Sequence, residues 1–267
     1  MPTNKSDMQN ELMREVKSIA EEAGRSIATI YRSGDWNLTE KADFSPVTQA
    51  DLAAHDIIVA GLRKLTNDPI VSEEDKIPQK DVGRNFWLID PLDGTRDFVA
   101  RLDTFAVCIA RLENYVPILG VIHAPITKET WWAETGRGAY GPSGNRIVND
   151  RRNLDLVATG SRSAPSEKMN KFYEHFKIKE TIRMGSAIKF CKLAEGQFDL
   201  YPRFGATSEW DTAAAQIILE EADCKLIDIR SRLPMKYGKP EFANHGFVAS
   251  RNDLDIVGEL YNKGLIS

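Results

Sequence analysis

Four apolar residues, Phe86 to Ile89, run without a break into an acid, and the stretch Trp87-Leu88-Ile89-Asp90-Pro91-Leu92-Asp93-Gly94-Thr95-Arg96-Asp97 constrains this chain more than any other. The pattern predicts a buried strand that delivers a carboxylate at its end. Pro91 fixes its own φ and is expected to stop regular structure, while Gly94 permits a tight turn. Asp90 and Asp93 would then flank a turn whose carbonyls cannot all be paired internally, an oxygen-rich setting that suits hard divalent cations. The same residue types also build an ordinary Asp/Pro/Gly turn, so this fragment alone leaves both readings open.

The rest of the chain must supply what such a turn lacks. With 267 residues it can form one large domain or two modest ones sharing a core. Basic residues number 35 against 39 acidic, a net charge of −4, and no dense Lys/Arg block occurs. Bulk nucleic-acid binding is therefore disfavoured, and a protein of this charge that handles phosphates must concentrate positive charge locally or borrow it from metal. Cys108, Cys191 and Cys224 lie far apart in apolar contexts. They read as free buried thiols in a reducing compartment. The polar start MPTNKSDMQNE lacks an apolar h-region, and no run is long enough to span a bilayer. A soluble cytoplasmic protein without integral membrane contact is the expectation.

Ser6 has capping-box spacing and is followed by Leu12, Val16, Ile19, Ala23, Ile27 and Ile30 at helical intervals, with Gly34 as a stop. A short strand is expected near Trp36 to Lys41. Thr48 is a candidate N-cap for a helix carrying Leu52, Ile58, Leu62 and Leu65, which puts Asp51 at its third position. Asp51 is then either a capping acid or a functional one. Pro69-Ile70-Val71 leads into Ser72-Glu73-Glu74-Asp75, which is either a solvated face or a source of metal ligands. Strands are expected over Thr104 to Leu112, Val116 to Ala124 and Glu129 to Glu134, and a hairpin connection over Gly136 to Gly144. Asn149 to Asn153 is the candidate boundary, dividing the chain into residues 1–153 and 154–267. Beyond it, strands are expected at Leu156 to Thr159, Thr181 to Met184, Phe198 to Phe204 and Phe247 to Ala249. Helices are expected from Gly185-Ser186 through Leu193, over Thr212 to Ala222 with Ser208 as N-cap and Asp211 in the first turn, and over Asp253 to Lys263. Strands and helices mix without strict alternation, which favours a layered α+β fold.

Two motifs together, Trp87-Leu88-Ile89-Asp90-Pro91-Leu92-Asp93-Gly94-Thr95 and Glu209-Trp210-Asp211-Thr212-Ala213-Ala214, with Ser72-Glu73-Glu74 upstream, resemble the paired signatures of the Mg²⁺-dependent, lithium-sensitive inositol monophosphatase superfamily. Lys41 to Asp51 and the stretch from Lys189-Phe190-Cys191 to Arg203-Phe204-Gly205 resemble its bisphosphate nucleotidase branch. The likeness runs from the first helix to about Phe247. It implies a five-layer α/β/α/β/α sandwich with the site between the halves. The implied reaction, belonging to sulfur metabolism, hydrolyses 3′-phosphoadenosine 5′-phosphate to AMP and phosphate.

The resemblance also implies roles. Glu73, Asp90 and the Leu92 carbonyl match one Mg²⁺ ligand set, and Asp90, Asp93 and Asp211 a second; a third, weaker ion near Glu73 is allowed. Thr95 and Asp51 match the pair that orients the attacking water, with Asp51 as general base. The Gly94 and Thr95 amides are expected to face the phosphate. Ser186, Lys189 and Arg203 match residues holding the adenosine and 5′-phosphate end, though Lys189 and Arg203 could equally be surface charges. Ala164 departs from relatives that carry His after Ser161-Arg162-Ser163, which puts one nucleotide contact in doubt. The four histidines fall outside the motifs and read as structural or exposed. Two alternatives stand beside the nucleotidase: an inositol or sugar-phosphate phosphatase, and a silent nucleotide-binding protein. A monomer and a homodimer are both compatible with the sequence, as is peripheral membrane contact.

Overall fold

The computed structural model describes residues 5–34, 36, 39–40, 46–75, 82–152 and 155–265. Helix α1 (Lys5–Ser33) begins ahead of the expected cap at Ser6 and ends where Gly34 turns to φ 78°. Of the strand expected at Trp36 to Lys41, β1 (Thr39–Glu40) is present, paired antiparallel with β2 (Pro46–Val47). Residues 37, 38 and 41–45 lie outside the described residues, and with them the rest of that expected strand and the first part of the resemblance over Lys41 to Asp51. Helix α2 (Gln49–Arg63) follows, with Thr48 as its N-cap as expected.

A seven-stranded sheet comes next, built in chain order from β3 (Ile70–Ser72), β4 (Phe86–Asp93), β5 (Ala106–Glu113), β6 (Val116–Ala124), β7 (Glu129–Glu134), β8 (Gly138–Tyr140) and β9 (Arg146–Ile147). Only the β3–β4 pairing is parallel. The glycine-rich segment 136–144, expected to be a connection, contributes β8. The stop expected at Pro91 is also corrected. Strand β4 continues to Asp93, and its pairing with β5 slips between Asp90↔Cys108 and Asp93↔Ala106. Proline has no amide for the ladder, and the bulge accommodates it without ending the strand. Helix α3 (Thr95–Val99) lies between β4 and β5.

The second sheet runs β11-β10-β12-β16-β14. Its members are β10 (Val157–Gly160), β11 (Glu180–Arg183), β12 (Leu200–Arg203), β14 (Cys224–Asp228) and β16 (Phe247–Arg251), and a small pair, β13 (Thr207–Ser208) with β15 (Ala243–Asn244), sits beside it. Strand β14 escaped the sequence reading because Cys-Lys-Leu-Ile-Asp is too short an alternation and only a single turn-type residue, Asp223, precedes it. Helices α4 (Glu167–His175), α5 (Ile188–Ala194), α6 (Ala213–Glu220) and α7 (Ile256–Asn262) complete the described chain.

Side-chain alternation on the strands makes the layers. Trp87 and Ile89 of β4 join Val107, Ile109 and Val121 in a core under α1 and α2. Phe86 and Leu88, on the opposite face, join α5, α6 and the inner face of the second sheet. Ala158, Leu200 and Val248 on that sheet's outer face pack with Phe172 of α4 and Ile256 of α7. Two outer cores and a middle one that covers both faces of the α5–α6 layer amount to the five-layer sandwich that the resemblance implied. All three cysteines are free and buried, as expected.

Candidate active site

Asp51 lies in a closed capping box. Thr48 donates through its amide at 2.8 Å and its hydroxyl at 2.6 Å to Oδ2 of Asp51, and the Thr48 hydroxyl oxygen accepts from the Ala50 amide. The other oxygen, Oδ1, accepts from the Thr95 hydroxyl at 3.1 Å. The two readings left open for Asp51 are therefore compatible: one oxygen caps a helix and the other faces Thr95. Burial raises the Asp51 carboxyl above its ordinary value, against the hydrogen bonds from Thr48 and Thr95. The Thr95 oxygen also stands 3.2 Å from the Leu92 carbonyl. One hydroxyl hydrogen cannot serve both acceptors.

The bulge in β4 brings Asp90 and Asp93 to the strand end, and the turn before α6 adds Asp211. One carboxylate oxygen from each lies within 4.8 Å of the others. Each acid is fixed through one oxygen by a backbone amide: Asp90 by Leu92 at 3.0 Å, Asp211 by Ser208 at 2.9 Å, and Asp93 by Ala187 in a very short contact. Each keeps a second oxygen without a protein donor among the described residues. Ser208 thus serves Asp211 through its amide and is not the N-cap of α6, which is Thr212. Asp211 precedes α6 instead of occupying its first turn.

Glu73 follows β3, its amide held by the Ile89 carbonyl at 3.2 Å. Its charge is felt at Asp51, Asp90, Asp93 and Asp211. Asp75 accepts from the Ser72 amide, and the Ser72 hydroxyl accepts from Glu74 and meets His55 Nδ1, so the acidic run is a built turn and not a loose solvated face. Burial and then neighbouring carboxylates push Asp90 and Asp211 well above the usual carboxylate range. Asp93 is raised to about 6 by burial, although Lys189 and the Ala187 amide oppose that rise. Hard oxygen donors, fixed and mutually repelling, fit Mg²⁺.

A carboxyl whose folded pKa exceeds its unfolded value holds more protons folded than unfolded between the two. The metal-free protein is therefore expected to lose stability as pH rises through the window from the ordinary carboxylate value of 3.8 to beyond 6. Thermal melts in chelator from about pH 5 to about pH 8 should show a falling midpoint, with Mg²⁺ restoring it more at the higher pH. A midpoint that rises across this window in chelator would contradict the buried cluster.

Gly94, at φ 96°, caps the start of α3, and a Cβ there would lie 3.1 Å from the Thr104 carbonyl and 3.2 Å from Ser186 Cβ. The Gly94 and Thr95 amides belong to a first turn that has no intrahelical acceptors. A cavity of about 480 Å³ opens beside Asp93, Gly94 and Asp211 and continues to Ser186, Lys189 and Arg203. Lys189 is not a surface charge: it is 5% exposed, its ammonium donates to the Ser186 carbonyl at 2.7 Å, and it lies 5.2 Å from the Tyr201 ring centroid. Half-buried Arg203 donates to Ser161 Oγ at 2.8 Å and to the Ala206 carbonyl at 3.3 Å. Ser186 has φ 51°, and its hydroxyl accepts from Ile188; the helix expected to open at Gly185-Ser186 starts at Ile188. Ala164 lines a smaller neighbouring cavity of about 260 Å³ with Phe204 and Arg203. The contacts of Thr104, Arg162 and the Ala187 amide escaped the sequence reading: Arg162 stands in the Ser161-Arg162-Ser163 segment without an assigned role, Thr104 stands in no site motif, and a backbone amide leaves no residue-type signal.

The histidines are structural or exposed, as expected. His123 is buried against Thr130 and pushed down to about 4 by burial, His175 meets Glu259, and His245 is exposed. No described helix is long and apolar enough to cross a membrane.

The sequence profile of the inositol monophosphatase family matches residues 8–261. The chain is 39% identical over 248 residues to the 3′(2′),5′-bisphosphate nucleotidase CysQ of Escherichia coli K12, covering 90% of this chain and 99% of that one. The crystal structure of CysQ from Bacteroides thetaiotaomicron superposes with a TM-score of 0.81 at 32% identity, covering 91% of this chain and 98% of that one. An inositol monophosphatase from Thermotoga maritima gives a TM-score of 0.76 at 28% identity, over 92% and 96% of the two chains.

Proposed function

Because the chain belongs to the inositol monophosphatase family, we propose that it is a Mg²⁺-dependent phosphatase that removes the 3′-phosphate of 3′-phosphoadenosine 5′-phosphate, giving AMP and phosphate. The identity to curated nucleotidases over most of both chains supports the substrate class. The observation that carries the reading is a single cavity lined both by the acids Asp93 and Asp211 and by the cations Lys189 and Arg203. Acids without metal repel a phosphate. Two cations lining the same cavity suit a substrate with a second phosphate.

Glu73, Asp90 and the Leu92 carbonyl would hold one ion, and Asp90, Asp93 and Asp211 a second, with a third, weaker one near Glu73. Bound there, Mg²⁺ offsets the charge of the phosphate ester and lowers the pKa of water. The chain's own residues do the rest. When the Thr95 hydroxyl hydrogen is donated to Asp51, the oxygen's lone pairs are free to accept from a water in the cavity, and Asp51 can take up the proton passed through Thr95. Thr48 holds Asp51 for that exchange through its two hydrogen bonds. The first amides of α3, at Gly94 and Thr95, offer donors to phosphate oxygens. Ser186, Lys189 and Arg203 orient the nucleotide and its 5′-phosphate. Residues 1–153 form the half that carries most ligands, and residues 154–267 the half that brings Asp211 and the nucleotide-side groups. The substrate is a small molecule, the working form a monomer or homodimer, and the compartment the cytoplasm.

Phosphate release should be measured with Mg²⁺ from 3′-phosphoadenosine 5′-phosphate, inositol 1-phosphate and fructose 1,6-bisphosphate side by side. The nucleotide is expected to give the highest kcat/KM. Preference for inositol 1-phosphate or the sugar bisphosphate would overturn the substrate, and no release from any would overturn the activity.

A further inference from the structure

Asp97, on α3, carries a carboxylate that the mechanism does not use, with only 12% of its side chain exposed. Its Oδ2 accepts from the Thr104 hydroxyl and from Arg162 Nε, the latter at 3.1 Å. Arg162 also donates through Nη2 to the Thr104 hydroxyl at 2.8 Å, closing a three-membered cluster. Asp97 and Thr104 flank the segment between α3 and β5, whereas Arg162 follows β10 of the second sheet. The cluster therefore ties the α3–β5 segment to the segment after β10, and Asp97 and Arg162 line the cavity there.

What leans on this cluster is the segment that fixes Asp93. Gly185 packs so closely on it that a Cβ would lie 1.8 Å from Asp97 Oδ2 and 2.9 Å from the Thr104 carbonyl. Ser186, held at φ 51°, turns the chain so that the Ala187 amide points into Asp93. A left-handed backbone at a non-glycine residue is strained and persists only where its surroundings enforce it. The Asp97–Arg162–Thr104 cluster is the rigid surface on one side of that turn.

We propose that Asp97, Arg162 and Thr104 form a latch between the halves that seats Gly185–Ala187 against the acid cluster, making Arg162 a positioning residue for Asp93. Only the activity arm of its test rests on the phosphatase reading. The experiment uses the full chain with Arg162→Met, Arg162→Lys and Thr104→Val. Amide hydrogen exchange is followed across 184–188 and, as a control, across the core strand 107–112. Mg²⁺ half-saturation is read from thermal shift. Turnover is measured on 3′-phosphoadenosine 5′-phosphate and on inositol 1-phosphate, which lacks a second phosphate.

Arg162→Met is expected to speed exchange at 184–188 but not at 107–112 and to weaken Mg²⁺ half-saturation about 10- to 100-fold, the usual cost of removing a group that orients a metal ligand. kcat should fall by a similar factor on each substrate that the wild type turns over. Arg162→Lys, which keeps the charge but loses the fork, should fall between. Thr104→Val, which removes one strut and leaves the ion pair, should shift the same readouts less and serves if Arg162→Met does not fold. Unchanged exchange at 184–188 with unchanged Mg²⁺ half-saturation would overturn the latch. So would a loss confined to KM for the bisphosphate, which would make Arg162 a substrate contact instead. A wild type silent on both substrates would refute the phosphatase reading, while the exchange and Mg²⁺ arms would still decide the latch.

Discussion

Asp93→Asn is expected to lower phosphate release by about three powers of ten at saturating Mg²⁺, or about 4 kcal/mol of transition-state stabilisation, while leaving the metal-free protein at least as stable as wild type. The first effect follows from the donor set. Asp90, Asp93 and Asp211 each present one oxygen with no protein donor, and together they are the tight acidic group among the described residues. A neutral amide removes one of the charges that compensate a divalent ion. The second effect follows from burial. Asp93 is held at about 6 despite the nearby Lys189, so its surroundings disfavour the charge. Neutralising it above pH 7 recovers on the order of 3 kcal/mol, against which stands the loss of a counter-charge for Lys189. The amide oxygen of Asn can still accept from Ala187. Steady-state kinetics over a Mg²⁺ titration and melting in chelator check both halves. Activity within about tenfold of wild type, or a collapse of the metal-free fold, would contradict this account of Asp93.

How much of this was legible in the residues can be argued position by position. The run Phe86 to Asp93 announced a buried strand bearing acids because its apolar side chains feed two cores, Trp87 and Ile89 on one face, Phe86 and Leu88 on the other. Thr48 and Asp51 announced a helix start because capping is a local contact between residues three apart. The errors were of another kind. Pro91 looked like a terminator, since the sequence does not show that a partner strand will absorb its missing amide in a bulge. Ser208 looked like a cap because its side chain is of capping type, whereas its amide is what matters. Nothing local assigned a role to Arg162 or Thr104: that role arises from a contact 58 residues apart in sequence. Motifs reported the acids, and only the fold reported what holds them in place.

The largest separation between binding and chemistry is expected at Asp51→Asn. Asp51 lies beside the acid cluster but is not one of its three members, and both of its oxygens are already occupied by protein donors. Its loss should leave Mg²⁺ half-saturation and KM near wild type and lower kcat by about 10²- to 10⁴-fold, the range for a positioned proton acceptor. The reason is the direction of one hydrogen bond. As a carboxylate, Asp51 receives the Thr95 hydroxyl hydrogen and leaves that oxygen to accept from water. Asn must keep its carbonyl oxygen toward the Thr48 amide to preserve the cap, which turns its NH₂ toward Thr95. Thr95 then accepts from Asn and donates to the Leu92 carbonyl 3.2 Å away, and the relay runs the wrong way. Because the cap survives, stability should change by no more than about 1 kcal/mol. Thr95→Val should match the kcat loss, and the double variant should lose little more than either alone, since the two groups act as one unit. Weakened Mg²⁺ half-saturation with kcat preserved would make Asp51 a metal-supporting residue, and additive losses in the double variant would separate it from Thr95.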